Sequence, residues 1–253
     1  MSELSQLQKV NCGETRVVIP ENLGWLEYRL KEEEMNYVKQ CIDNRKGDHR
    51  KILAGNIKDS NTLYDKDNWF FNNTIQKLIH IYGTEFSNLG KDIPLNQFHP
   101  YYMDNWWVNY QYKHEFNPLH NHSGLYSFVI WLKIPYSAEE QSNLDFLKGV
   151  KEKDKKAGVF EVQYCNSLGK TVNYVYRLSK ESEGKMIFFP SKMKHCVHPF
   201  YNTDEEKVSI SGNIWLKPVA KSEIFPKQND NIKVPKKDKK KQWKSLKDLG
   251  IEV

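Results

Sequence analysis

The sequence predicts an α+β protein, mainly β, in which a jelly roll or barrel carries helices on its outside. Three observations lead there. Apolar residues at helical spacing occur only in the first hundred residues. Seven or eight short β-rich segments follow, several broken by proline. The chain of 253 residues is 39% apolar and 13% aromatic, enough for one sizeable core.

In chain order, residues 1–30 are mixed, and Thr15 to Pro20 reads as a first strand. Lys31 to Asp43 reads as a helix, because acids in its first turn complement the helix dipole. Residues 44–66 are polar and read as a loop. Asn68 to Phe86 places Phe71, Ile75, Leu78 and Ile79 at helical spacing. Trp106 to Tyr112 then begins the β-rich half. Leu125 to Ile134 is apolar on both faces and stops at Pro135, which marks a buried strand. Residues 137–156 read as an exposed, Lys-rich insertion. Val159 to Tyr164 and Thr171 to Leu178 form a hairpin around CNSLGK. Lys185 to Phe189 and Val208 to Leu216 are the closing strands. No internal repeat is visible. The division expected is a single domain over 1–226, with helical support to about residue 100 and a β core over about 101–220. A Lys-rich tail over 227–253 follows and reads as a solvated charge run.

The net charge is +6 and the isoelectric point about 8.9. That balance can serve a nucleic-acid partner, yet the only arginines are Arg16, Arg29, Arg45, Arg50 and Arg177. Arginine is the usual reader of phosphates and bases, so the composition argues against nucleic acid. Cys12, Cys41, Cys165 and Cys196 form no CxxC pair, as in a protein of a reducing compartment. The N-terminus has no apolar signal core and the longest apolar run is too short to span a bilayer. A soluble, cytoplasmic protein without a membrane partner is expected.

Two of the eight histidines, His120 and His122, stand two residues apart in NPLHNHSG. On an extended strand, residues i and i+2 share a face, so the pair makes half of a metal site. The segment GKMIFFPSKMKHCVHPF carries His195 and His198. Its apolar strand ends at Pro190 and His195 follows five residues later. Two such strands facing each other would bring His195 onto the pair. Imidazole suits zinc, copper, iron and nickel alike. Three ligands on one side leave an open face for chemistry, whereas a closed structural zinc site wants a fourth. Cys196 adjoins His195 and, on extended chain, points the other way. Trp106, Trp107 and Trp131 read as core more than as a substrate cage.

At these residues the sequence resembles the Fe(II)/2-oxoglutarate-dependent oxygenases, especially a group common in bacteria and phages. Three stretches carry the resemblance: NPLHNHSGLYSFVIWLKIP (117–135), GKMIFFPSKMKHCVHP (184–199) and KVSISGNIWL (207–216). It covers the C-terminal half. It implies a double-stranded β-helix, with Fe(II) held by His120, His122 and His195, and His198 outside the ligand set as a neighbouring group or substrate contact. It further implies 2-oxoglutarate bound with its far carboxylate on Lys207 and with Ser209 on the same face. Asn109, Tyr112 and Asn213 are implied near the cosubstrate. Dioxygen and an unidentified substrate would complete the reaction, with release of succinate and CO2 and hydroxylation of a C–H bond. The location implied is the cytoplasm, that of the host for a phage protein. Two departures stand out. Most of the wider superfamily has H-x-D or H-x-E in place of H-x-H, and its usual arginine is here Lys207, which cannot make the bidentate fork.

Two other readings remain open at this level. One is a cupin-type enzyme with three histidines that needs no 2-oxoglutarate; Ser123 to Phe128, however, lack the glutamate that cupins place after HxH. The other is a non-enzymatic jelly-roll binding module. The Lys-rich stretch 147–156 could form a lid or attract an acidic partner, though a solvated surface accounts for it as well.

Overall fold

The structure is a computed structural model that describes residues 23–50, 53–86, 88–93 and 99–217. The candidate strand at Thr15 to Pro20 and the Lys-rich tail lie outside the described residues.

Two antiparallel sheets face each other. The larger has the order β1-β9-β6-β11-β4-β3-β2 and the smaller β5-β10-β7-β8. The strands are β1 (Leu26–Arg29), β2 (Lys46–Asp48), β3 (Asp59–Thr62), β4 (Tyr101–Gln111), β5 (Asn117–His120) and β6 (Tyr126–Lys133). They continue as β7 (Val159–Cys165), β8 (Thr171–Arg177), β9 (Lys185–Pro190), β10 (Lys194–Val197) and β11 (Lys207–Leu216). From β4 onward the chain alternates between the two sheets, apart from the β7–β8 hairpin within the small one, and this makes the double-stranded β-helix that the resemblance implied. The helices are α1 (Glu32–Asp43), α2 (Gln76–Glu85), α3 (Leu89–Asp92) and α4 (Ala138–Ser142). Among the described residues no helix is long and apolar enough to cross a membrane.

The period-2 rule sorts the large sheet into two faces. Trp106 and Val108 of β4, Phe128 and Ile130 of β6, Met186 and Phe188 of β9, and Ile210 and Ile214 of β11 face the helices. They meet Val38 and Cys41 of α1 and Leu78, Ile79 and Tyr82 of α2. The intervening residues Val129, Trp131, Ile187 and Phe189 face the small sheet, against Phe160 and Val162 of β7. Each buried side chain of this size stabilises the fold by about 1.5–3 kcal/mol. Glu34 ties α1 down. Its buried carboxylate accepts from Tyr28 Oη (2.8 Å), the Lys31 amide (2.8 Å) and Thr74 Oγ1 (2.8 Å).

Several elements differ from the sequence reading. The helix expected over Asn68 to Phe86 has a π-helical turn at Phe71–Ile75 before α2, and its apolar residues are buried as anticipated. The expected loop at 44–66 contains β2 and β3. The β3 sequence DSNT has poor strand propensity; pairing with β4 and a buried Ser60, whose hydroxyl donates to Val108 O (3.1 Å), holds it extended. Strand β4 starts five residues earlier than Trp106. The segment 137–156 is not simply exposed. Helix α4 buries Ala138, Gln141 and Ser142, and Gln141 Oε1 accepts from the Tyr201 amide (2.9 Å). Its polarity misled because buried polar groups that find partners are tolerated.

Candidate metal and anion site

The antiparallel pairing of β5 and β10 sets His195 directly opposite His120. His122 lies just past the end of β5, so the two histidines of the pair do not share one strand. Its amide donates to Ser191 O (2.8 Å), which turns the chain back toward the site. The result equals what a shared strand would give. Nε2 of His120 and of His122 lie 3.3 Å apart. The ring of His195 sits 4.3 Å from that of His120 and 4.9 Å from that of His122, centroid to centroid. One ligand atom from each of the three lies within 4.8 Å of the others.

The hydrogen bonds at the far sides of the rings fix what each nitrogen offers. His120 Nδ1 meets Pro118 O at 2.7 Å and His195 Nδ1 meets Met193 O at 3.1 Å. His122 Nδ1 meets Asn213 Oδ1 at 3.0 Å and Ser127 Oγ at 3.2 Å. A carbonyl oxygen only accepts, so each Nδ1 carries the proton and each Nε2 presents a bare lone pair. Burial pushes the pKa of all three rings down, that of His122 to about 4 and that of His195 well below its ordinary value, and neighbouring histidines push those two further. Three neutral imidazoles with convergent lone pairs could hold a metal ion.

The three rings open into a cavity of about 340 Å³ between the sheets. Its floor comes from alternate residues of β4 and β11: Trp107, Asn109 and Gln111 beside Lys207, Ser209, Ser211 and Asn213. No Asp or Glu lines it among the described residues. Lys207, the residue that the resemblance implied for a far carboxylate, is buried, 2% exposed, with Nζ making no hydrogen bond. Desolvation pushes its pKa down to about 7. A buried ammonium without a hydrogen-bond partner, in a cavity without acids, could seat an anion.

Other residues fall on either side of the expectation. Ser209 lies opposite Asn109 on the floor. The Asn109 carboxamide accepts from Ser60 Oγ (2.8 Å). Asn213 turns its oxygen to His122 and Ser127, which makes it an orienter of the ring. Tyr112 is not on the floor: it lies beyond β4, is 40% exposed, and its amide donates to Glu115 Oε2 (3.0 Å). Three residues on from Asn109, it falls on the opposite parity. His198 stays out of the cavity and faces Glu161 (3.0 Å). Trp106 is core; Trp131 packs in the core between the sheets and also lines the cavity, and Trp107 reaches the cavity wall and stacks on His49 at 4.6 Å.

Sequence reasoning missed Gln111 and Ser211, which the same alternation along β4 and β11 selects. It also missed the segment around Leu53 to Ile57, which covers one side of the cavity. Asn56 bridges to Phe116 there. Gly55 approaches Asn117 so closely that an added Cβ would stand 1.7 Å from Asn117 Oδ1. No residue of 147–156 lines the cavity, so that stretch is not its lid.

Residues 105–213 match the family model described as "Putative 2OG-Fe(II) oxygenase", and this bears out the resemblance carried by the three sequence stretches. Among curated proteins none matches. Solved structures with similarity include a prolyl-4-hydroxylase from Pseudomonas putida, at 12% identity and a TM-score of 0.44, with 78% of this chain and 94% of that chain covered. A prolyl hydroxylase from Trichoplax adhaerens is 12% identical with a TM-score of 0.45, covering 76% of this chain and 83% of that chain. A viral collagen prolyl hydroxylase from Paramecium Bursaria Chlorella virus-1 is 12% identical with a TM-score of 0.42, covering 75% and 94%.

Proposed function

We propose, from the oxygenase-family match of residues 105–213, that this chain is an Fe(II)- and 2-oxoglutarate-dependent dioxygenase that hydroxylates a substrate still to be identified. His120, His122 and His195 would hold the iron through Nε2, and Lys207 the far carboxylate of 2-oxoglutarate. The domain would span residues 1–226, in the cytoplasm, with 227–253 as a tail.

One observation carries this reading: the orphaned Lys207 ammonium lies on the same cavity floor as the three convergent imidazoles. A neutral ligand set leaves a divalent ion with its full charge. A dianionic keto acid sets one carboxylate against that charge and the other against Lys207, and so lowers the positive charge of the cavity from three to one. With dioxygen as the oxidant, bound iron and 2-oxoglutarate would supply C–H hydroxylation, one oxygen atom going to the substrate and the other to the succinate formed as CO2 is released.

The chain's own work is placement. Asn213 and Ser127 hold the His122 ring so that Nε2 points inward. The Pro118 and Met193 carbonyls do the same for His120 and His195. Ser209, 8% exposed and on the Lys207 side of the floor, adds a hydroxyl for the carboxylate. Trp107, Trp131, Leu53, Ala54 and Ile57 line the cavity and would shield bound groups from water.

The test is to add Fe(II) and then 2-oxoglutarate to purified protein without oxygen and record the visible spectrum. A keto acid chelated to Fe(II) gives a weak charge-transfer band, and the band is expected here. It should vanish in His120→Ala and His195→Ala. The all-histidine ligand set favours one second reading, a cupin-type enzyme that does not use 2-oxoglutarate. Iron binding without the band would select it. No iron binding at all would overturn both.

A further inference from the structure

A second cluster of metal-ligating atoms lies on the outer face of the small sheet, back to back with the three histidines. Strands β7 and β10 pair so that Cys196 stands opposite Glu161. Cys196 and His198, two residues apart, point away from the cavity into which His195 points. The His198 amide donates to Val159 O (3.0 Å), which carries the extended course one residue past β10. His198 Nε2 then lies 3.0 Å from Glu161 Oε2 and 3.3 Å from Cys196 Sγ. All three ligand atoms fall within 4.8 Å of one another. Glu161 is buried; Cys196 and His198 are half-buried, so an ion could enter from solvent.

We infer that Glu161, Cys196 and His198 form a second divalent-cation site, of the zinc class, that staples β7 to β10. The spacing carries this. Around a tetrahedral zinc ion with bonds of about 2.1 Å to nitrogen or oxygen and about 2.3 Å to sulfur, ligand atoms stand roughly 3.3–3.7 Å apart. The observed separations of 3.0 and 3.3 Å need to open only slightly. The donor set combines thiolate, imidazole and carboxylate, which suits a borderline ion and not magnesium or calcium. The thiol proton leaves to solvent on binding, and water takes the fourth position. An ordinary hydrogen-bonded pair explains His198 with Glu161 but gives the sulfur no purpose, since thiols are weak partners. Lys156 Nζ lies 3.4 Å from Glu161 Oε2 and competes with a cation there. It is a long, partly exposed side chain on a turn and can swing away. The site is independent of the oxygenase reading, because it shares no ligand with the three-histidine set.

Cobalt(II) titration of the full wild-type chain tests this. A thiolate bound to cobalt gives an intense near-ultraviolet charge-transfer band. The three-histidine site has no sulfur and cannot produce it. The expected result is a band whose final intensity corresponds to one thiolate-bound ion per chain, whatever cobalt the three histidines also take up, and which is displaced by zinc. Cys196→Ser should abolish it, His198→Ala should weaken binding at least tenfold, and Lys156→Ala should strengthen it. Absence of the band in the wild type would overturn the proposal. So would a band that survives in Cys196→Ser, because it would come from another cysteine.

Discussion

Asn213 Oδ1 lies 3.0 Å from His122 Nδ1, and the same oxygen accepts from Ser127 Oγ at 2.8 Å. A residue of β11 therefore sets the tautomer of a histidine more than ninety positions earlier. Partners of this kind are worth roughly 10–100-fold in metal affinity. Asn213→Ala should weaken Fe(II) or Co(II) binding within that range while leaving the thermal melt of the metal-free protein little changed. Calorimetric titration measures it; unchanged affinity would show that Asn213 does not orient the ring.

Lys207 makes a prediction with two opposite signs. Its folded pKa is pushed to about 7, whereas an unfolded lysine titrates near about 10.4. Between those values the unfolded chain binds the extra proton, so the metal- and ligand-free protein should gain stability as pH rises from 7 toward 10. Below pH 7 both states are protonated and the full burial penalty, on the order of a few kcal/mol, is present. Lys207→Met should therefore raise the melting temperature at pH 7 and flatten its rise between pH 7 and 10. The same variant should lose the 2-oxoglutarate charge-transfer band while still binding iron. Wild-type affinity for 2-oxoglutarate should fall as pH rises above 7, because the anion needs the protonated amine. A Lys207→Met protein that is less stable at pH 7 would mean the ammonium has a partner in solution.

What the sequence revealed and what it hid divide along physical lines. Two histidines at i and i+2, and a third behind an apolar strand and Pro190, are local patterns, and the fold brings all three together. The helix–sheet core was equally legible through Phe71, Ile75, Leu78 and Ile79. Residues held by tertiary pairing were not: DSNT becomes β3 only because β4 offers it an edge, and its buried Ser60 has no local signature. Lys207 sits in a run of acids and looks solvent-bound by composition. The resemblance picked out Lys207, Ser209 and Asn213 all the same, and the parity of β11 turns them inward together with Ser211, which it did not pick out. Tyr112, one position past the end of β4, falls on the opposite parity to Asn109 and Gln111.

The three imidazoles predict an acid limit. Each folded pKa is depressed, that of His122 to about 4, while an unfolded histidine titrates near about 6.5. Between pH 6.5 and 4 the unfolded chain binds more protons, so the metal-free protein should lose stability as pH falls through that window. Bound metal should move the loss to lower pH, since protons and the ion compete for the same lone pairs. Melting curves of apo and metal-loaded protein from pH 7 to pH 4 measure both. A His195→Ala variant should show a shallower acid slope than wild type; an identical slope would place the acid-sensitive groups elsewhere.

Gly55 tests whether the Leu53 to Ile57 segment encloses the cavity. A Cβ there would meet Asn117 Oδ1 at 1.7 Å and Phe116 O at 2.5 Å. The second contact is backbone and cannot rotate away. Gly55→Ala must therefore lift the segment from β5 or push β5 itself. Overpacking of this kind costs about 1–3 kcal/mol. Because Asn117 begins the strand that ends at His120, the displacement also reaches the cavity wall. The expected outcome is a lower melting temperature, with 2-oxoglutarate binding weakened more than Fe(II) binding: the wall shields the anion, whereas the three ligands are held by their own carbonyl and Asn213 contacts. Equal losses for both ligands would mean that the segment supports β5 without closing the cavity. Unchanged stability would mean that it does not pack on Asn117 in solution.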